Sequence, residues 1–336
     1  FNTKLYEGTS GTVNVTGLSF QPDFCWLKNR DAGNRNALFD AVRGVTKRLR
    51  TDGTDAEVAD PDTLTSFNSD GFTVGADADG YGANQNGASF TSWNWKANGA
   101  GSANTDGSIN TTYTSANTTA GFSIIQYTGN GSAGATIGHG LGTVPKMFIV
   151  KKISSTGAWN VYHEKIGNTG GISLDLTGGT DTNIRYWNNT SPTSSVLSLG
   201  SSSQINGSGV TYICYCFAGV QGYSKFSSYL GNGSNDGSFC FTGFKPAFVM
   251  LKKTSGTGNW QLFDNKRAGY NPDNDVLRPN LNNAECTSCV EIDMLSNGYK
   301  LKNTDGDGNT SGGTYIYMAF AEAPLVGSNN VPCTAR

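Results

Sequence analysis

Tyr6-Glu7-Gly8, Tyr127-Thr128-Gly129 and Tyr229-Leu230-Gly231 open three stretches built on one pattern. A proline follows each, at Pro22, Pro145 and Pro246, and six residues further stands a lysine, Lys28, Lys151 and Lys252. Seventeen residues after each proline comes an aromatic and then a polar residue: Phe39-Asp40, Tyr162-His163 and Phe263-Asp264. Closing segments begin at Phe90, Tyr212 and Tyr315, which lie 68, 67 and 69 residues after the prolines. Spacing this regular means one structural unit of roughly 100 residues used three times.

The boundaries follow from the pattern. We place unit one at 1–97, a linker at 98–120, unit two at 121–222, unit three at 223–324 and a tail at 325–336. The linker is rich in Gly, Ser, Asn and Thr, with Ile109 and Tyr113 as its apolar anchors. Its length leads us to expect units two and three packed together and unit one joined more loosely. Each unit shows short apolar strands between glycine-rich turns and ends on an aromatic strand such as Phe90-Thr-Ser-Trp93-Asn-Trp95. That grammar predicts an all-β fold of three tandem β-sandwiches of jelly-roll or lectin-like type. The best candidate for a short helix is Ala37–Leu49, weakened by Gly44.

Composition narrows the function classes. Of 336 residues 45 are glycine, 15% are charged and 11% aromatic, which favours a folded chain over disorder. A net charge of −2 leaves no electrostatic footprint for nucleic acid. No apolar run reaches the length of a membrane span. Seven cysteines, Cys25, Cys214, Cys216, Cys240, Cys286, Cys289 and Cys333, do not recur between units, so they read as free thiols from a reducing site of synthesis. The chain starts at Phe1 with a strand pattern already under way, and we expect residues upstream of it.

Six stretches carry a family resemblance. Phe20-Gln-Pro-Asp-Phe-Cys-Trp-Leu-Lys-Asn-Arg30, Leu38-Phe-Asp-Ala-Val-Arg-Gly44 and Ser66-Phe-Asn-Ser-Asp-Gly-Phe72 resemble a domain of unknown function common in tailed phages of marine origin. Gly243–Lys252 and Gly312–Pro324 resemble its C-terminal copy, and Val331–Arg336 the natural end of such proteins. The resemblance implies a structural virion protein, tail fibre-like, made in a bacterial cytoplasm and displayed outside it. It carries no catalytic residues. Self-association as a homotrimer and contact with other virion proteins are the partners expected, with host surface glycans as the alternative.

Chemistry on top of the repeat is sparse. His163 takes the position of Asp40 and Asp264, which marks a repeated hydrogen-bonding spot, and His139 sits in a turn. The acidic run Asp52, Asp55, Glu57, Asp60 and Asp62 and the basic run Arg43, Lys47, Arg48 and Arg50 read as solvated loops, the basic one with a second reading as a patch for an anionic partner. Asp305-Gly-Asp307 has calcium-loop spacing without the closing glutamate, and we assign no metal or cofactor. Paired carboxylates of a glycan depolymerase do not recur, and no enzyme is expected. Trp159 and Trp260, equivalent to Asn36, read as packing residues. Aromatics off the repeated strands, Tyr81, Trp187 and Tyr270, are the candidates for stacking on sugars.

Overall fold

A computed structural model describes residues 1–321 apart from 79, 81, 268, 269, 274 and 290. The described chain is almost entirely antiparallel β. The first repeat forms β1 (Asn2–Glu7), β2 (Val13–Thr16), β3 (Phe24–Asn29), β4 (Ala37–Asp40), β5 (Lys47–Arg48), β6 (Val58–Ala59), β7 (Leu64–Asn68), β8 (Gly71–Val74) and β9 (Ser89–Trp95). After β10 (Tyr113–Asn117) the second forms β11 (Phe122–Thr128), β12 (Ala135–Gly138), β13 (Pro145–Lys152), β14 (Trp159–His163), β15 (Gly170–Ser173), β16 (Asp181–Thr182), β17 (Val196–Leu199) and β18 (Thr211–Ala218), with single-turn helices α1 (Ile184–Trp187) and α2 (Ser203–Asn206). The third forms β19 (Ser224–Leu230), β20 (Phe239–Phe241), β21 (Phe248–Lys253), β22 (Gln261–Asp264), β23 (Ile292–Leu295), β24 (Gly298–Leu301) and β25 (Thr314–Phe320).

The same sheet is made three times. Its four-strand order is β1-β9-β3-β4, then β11-β18-β13-β14, extended in the second repeat by β10 on one side and β15-β16 on the other, then β19-β25-β21-β22. Each has a smaller sheet beside it, β2-β8-β7, β12-β17 and β20-β24-β23. The opening Tyr-x-Gly sets the register. Tyr6, Tyr127 and Tyr229 lie opposite Phe90, Tyr212 and Tyr315 and stack on them at 5.0, 5.1 and 4.8 Å between ring centres. Each tyrosine hydroxyl donates to a carbonyl, of Ala83, Ile205 and Gly308. The next residue in each case, Asn84, Asn206 or Asn309, is buried and pins the loop after the first strand through its side-chain amide. The glycine is required because a Cβ there would collide with the backbone just after that asparagine, at the carbonyls of Gln85, Gly207 and Thr310.

Side-chain parity explains the layers. On β9, Trp93 and Trp95 point to one core, and Phe90 points the other way to stack on Tyr6. On β18, Ile213, Tyr215 and Phe217 face that same core, whereas Tyr212, Cys214 and Cys216 face a core private to the second repeat. On β25, Ile316, Met318 and Phe320 join the shared core, and Tyr317 and Ala319 the third repeat's own. Strands buried on both faces read as unbroken apolar runs, which is why Phe148-Ile-Val150 shows no alternation. All three large sheets therefore turn one face to a single central core. Segment 1–97 is not the looser unit expected, since Phe1, Phe24, Trp26, Trp93 and Trp95 stand in that core.

The repeats close a ring, each tied to its predecessor by equivalent groups. Lys151 donates from the second repeat to the carbonyl of Thr54 in the first, Lys252 from the third to Thr177 in the second, and Lys28 from the first to Asn282 in the third. Burial lowers all three lysines to about 8. The Trp159 indole donates to the carbonyls of Arg50 and Gly53, and that of Trp260 to Ser173. Asn36, at the same position, donates to Pro279 and Leu281. Main-chain bonds repeat the scheme: Glu57 N to Ile153 O, Thr180 N to Thr254 O and Glu285 N to Arg30 O, the acceptors being the eighth residues after the prolines.

Other expectations change. Ala37–Leu49 is not helical: Ala37–Asp40 is a strand, and Asp40 then caps a turn by accepting from the amides of Val42 and Arg43. Cys286 and Cys289 are disulfide-bonded rather than free, Cys25, Cys214, Cys216 and Cys240 are buried thiols, and Cys333 lies outside the described residues. The linker is ordered on the second repeat, where β10 pairs with β11 and the buried Ile109 bridges to Ile137, while Tyr113 stays exposed.

Candidate functional site

The recurring polar position is an inter-repeat junction. In the first repeat Asp40 accepts from Arg43 Nε at 2.6 Å and from the Tyr215 hydroxyl of the second at 2.7 Å. In the third, Asp264 accepts from Arg267 Nε at 2.7 Å and from the Trp93 indole of the first at 2.9 Å. Arg267 also reaches Glu285, which pairs with Arg30 across the same junction. In the second repeat all three members change together: His163 replaces the aspartate, Ile166 the arginine and Met318 the aromatic donor. The logic is electrostatic. A buried carboxylate needs a cation and several donors, whereas a neutral imidazole needs no cation and only one donor and one acceptor. His163 accepts at Nδ1 from Lys165 N and donates from Nε2 to Tyr317 O.

Burial lowers the His163 imidazole to about 4. The unfolded chain, with an ordinary value of 6.5, therefore takes up the proton first. The neutral-imidazole contribution is whole above that value and is lost as pH falls through about 4. We expect acidification across this window to remove about 3 kcal/mol of stability through this residue. Urea titrations of wild type and His163→Gln at several pH values check it: the variant keeps only the slope from other groups, such as buried His139, which shifts in the same direction.

A surface cavity of about 640 Å³ lies where the second repeat passes into the third. The short connection Gly219–Gly222 forms its floor, with Ser224, Lys225 and Phe226 of β19 on one wall and Phe241, Thr242 and Asn297 on the other. Lys146 and Glu164 stand at its end, paired at 2.8 Å. Glu164 is the one carboxylate among the lining residues, and the lysine already holds it. The groove thus offers an exposed phenyl ring, amides, hydroxyls, one ion pair and the exposed Lys225, a surface suited to contact.

The three aromatics expected to stack on sugars do not come together. Tyr81 lies outside the described residues. Trp187 cannot stack on a ligand, because it is wholly buried, packed on Phe148 and Tyr162 with its indole donating to Gly170 O. Tyr270 is 77% exposed, beside a small pocket with Lys245, Asn271 and Asp273. In that pocket burial raises Asp273 to about 7. The charged runs of the first repeat pair with each other: Arg43 with Asp40 and Glu57 and Arg48 with Asp60 are largely buried, and Arg50 reaches Asp55, whose side chain is half-exposed. Asp307 accepts from Asn259 and Gln261, and Asp305 from the amide of Asp307. Among the described residues no cluster of His, Cys, Asp and Glu is placed to hold a metal ion, and no helix is long and apolar enough to cross a membrane.

Sequence reading missed Phe239 and Phe241, exposed by 47% and 59% beside the groove. Comparing equivalent strands would have found them: the matching positions on β2 are Asn14 and Thr16. No curated protein and no solved structure matches the chain significantly. One family model runs unbroken over residues 1–324, across all three repeats, and by that match the chain belongs to the family described as a domain of unknown function, DUF7483.

Proposed function

We propose that this chain is a structural component of a phage virion or similar extracellular appendage, tail fibre-like, whose three β-sandwich units of jelly-roll type form a stiff body. One observation carries the reading. The residues that recur at fixed spacing, Lys28, Lys151 and Lys252 above all, tie one repeat to the next. What varies between repeats is loop, the part a displayed scaffold leaves free. Because the repeats already close a ring within one chain, self-association need not supply a threefold axis. Immunogold labelling of assembled particles tests the proposal: antibody should decorate an appendage, and particles that lack the protein would refute it.

Glycan binding is the second reading, favoured by the exposed rings of Phe241 and Tyr270. On that reading a multivalent form binds a glycan array, and Phe241→Ala or Tyr270→Ala lowers affinity about tenfold through loss of ring stacking. An array without signal would remove it and leave the structural reading intact.

A further inference from the structure

The three repeats share one architecture but differ at the mouth between the large and small sheets. In the second repeat the linker closes that mouth. There β10 pairs along β11, Ile109 bridges to Ile137 of β12, and Ser108 N donates to Thr136 Oγ1. In the third repeat β19 and β20 are both edge strands among the described residues, paired there with β25 and β24 on one side only. The cavity of about 640 Å³ lies along them.

The outward residues of the equivalent strands differ in kind. Register aligns Cys240 with Val15, so Phe239 and Phe241 match Asn14 and Thr16. On β12 the residues flanking inward Ile137 are Thr136 and Gly138. Only the third repeat puts two aromatic rings on this edge. β20 itself carries no charge, and a charge there is one of several devices by which natural sheets protect an exposed edge. The sequence Phe239-Cys240-Phe241 also reads alike in both directions. In an antiparallel pair related by a twofold axis through Cys240, Phe239 of each copy lies opposite Phe241 of the other. Cys240, buried in the third repeat's core, is not disturbed.

We propose that β20 is a docking edge for a second copy of this chain, pairing β20 with β20 antiparallel and continuing the sheet β20-β24-β23 across the twofold axis. Both cross-strand aromatic pairs are then covered, and the mouth closed in the second repeat by the chain's own linker is closed in the third by a partner. The inference stands on the sheet edge and does not depend on the appendage reading.

Sedimentation equilibrium of the whole chain from micromolar to millimolar concentration tests it. Wild type is expected to pass from monomer to dimer. The variants Phe239→Lys/Phe241→Lys and Phe239→Glu/Phe241→Glu should each lose about tenfold or more in self-affinity. Mixed, they should form a heterodimer, since opposite charges then face across the pair. Both positions are exposed, so near-ultraviolet circular dichroism of each variant should match wild type. A wild type that stays monomeric throughout overturns the proposal. So does a dimer that survives in both charge variants, or variants that remain apart when mixed.

Discussion

Replacing Trp95 by alanine is expected to destabilise the whole chain by about 3–5 kcal/mol, in one cooperative transition. Its ring lies 4.6 Å from Phe1 and 5.4 Å from Phe24 of its own repeat. It also lies 6.4 and 6.3 Å from Phe122 and Phe217 of the second, and 5.5 Å from both Phe248 and Phe320 of the third. Removing it opens a cavity where three sheets meet, and no single repeat can collapse to fill it. Denaturant curves followed by fluorescence and by far-ultraviolet circular dichroism should stay superimposed while their midpoint falls. Trp95→Phe should cost much less, because the indole N–H has no acceptor among the described residues and phenylalanine removes a buried unsatisfied donor. Repeats that fold as separate beads would instead give two transitions, with only the first shifted. That result would contradict the shared core.

The contrast between a bead string and a ring also shows what the sequence could convey. The Tyr-x-Gly openings, the prolines and the closing aromatics were legible because they act within a repeat: a stacked pair, a glycine pressed on a loop, a strand start. The shared core was not, because Trp93 and Trp95 alternate with polar residues as they would in any half-buried strand, and nothing local says that three such faces meet. The lysine ties were equally silent. Lys28, Lys151 and Lys252 donate to main-chain carbonyls, which leave no mark on side-chain identity. The run Ala37–Leu49 misled because Asp40 ends its strand in a side-chain-capped turn, which the local sequence does not distinguish from the start of a helix. Of the candidate contact surface, only Tyr270 was foreseen, since Phe239 and Phe241 look like core residues until set beside Asn14 and Thr16.

His163→Asp is the second change expected to have a large effect, about 3–5 kcal/mol of destabilisation at neutral pH. Aspartate can reproduce half of what His163 does, since Asp40 and Asp264 accept from the following turn amides as His163 Nδ1 does. The other half fails. The second carboxylate oxygen would face Tyr317 O, which now receives the Nε2 proton, with Ile166 and Met318 where the other junctions supply arginine and an aromatic donor. Burial without a partner raises the folded pKa of such a carboxyl. Its penalty is then whole above the raised folded value, shrinks as pH falls below that value, and is gone below the unfolded value of about 4. Wild type and variant should therefore respond to acid in opposite senses: the wild type weakens as His163 is forced to charge, and the deficit of the variant shrinks. Adding Ile166→Arg and Met318→Tyr rebuilds the arrangement of Asp40, Arg43 and Tyr215. The triple variant should recover more than half of the loss, with coupling well above the sum of the single changes. A triple variant no more stable than His163→Asp alone would mean that the three positions vary independently. The junctions would then not be the interchangeable parts that their geometry makes them.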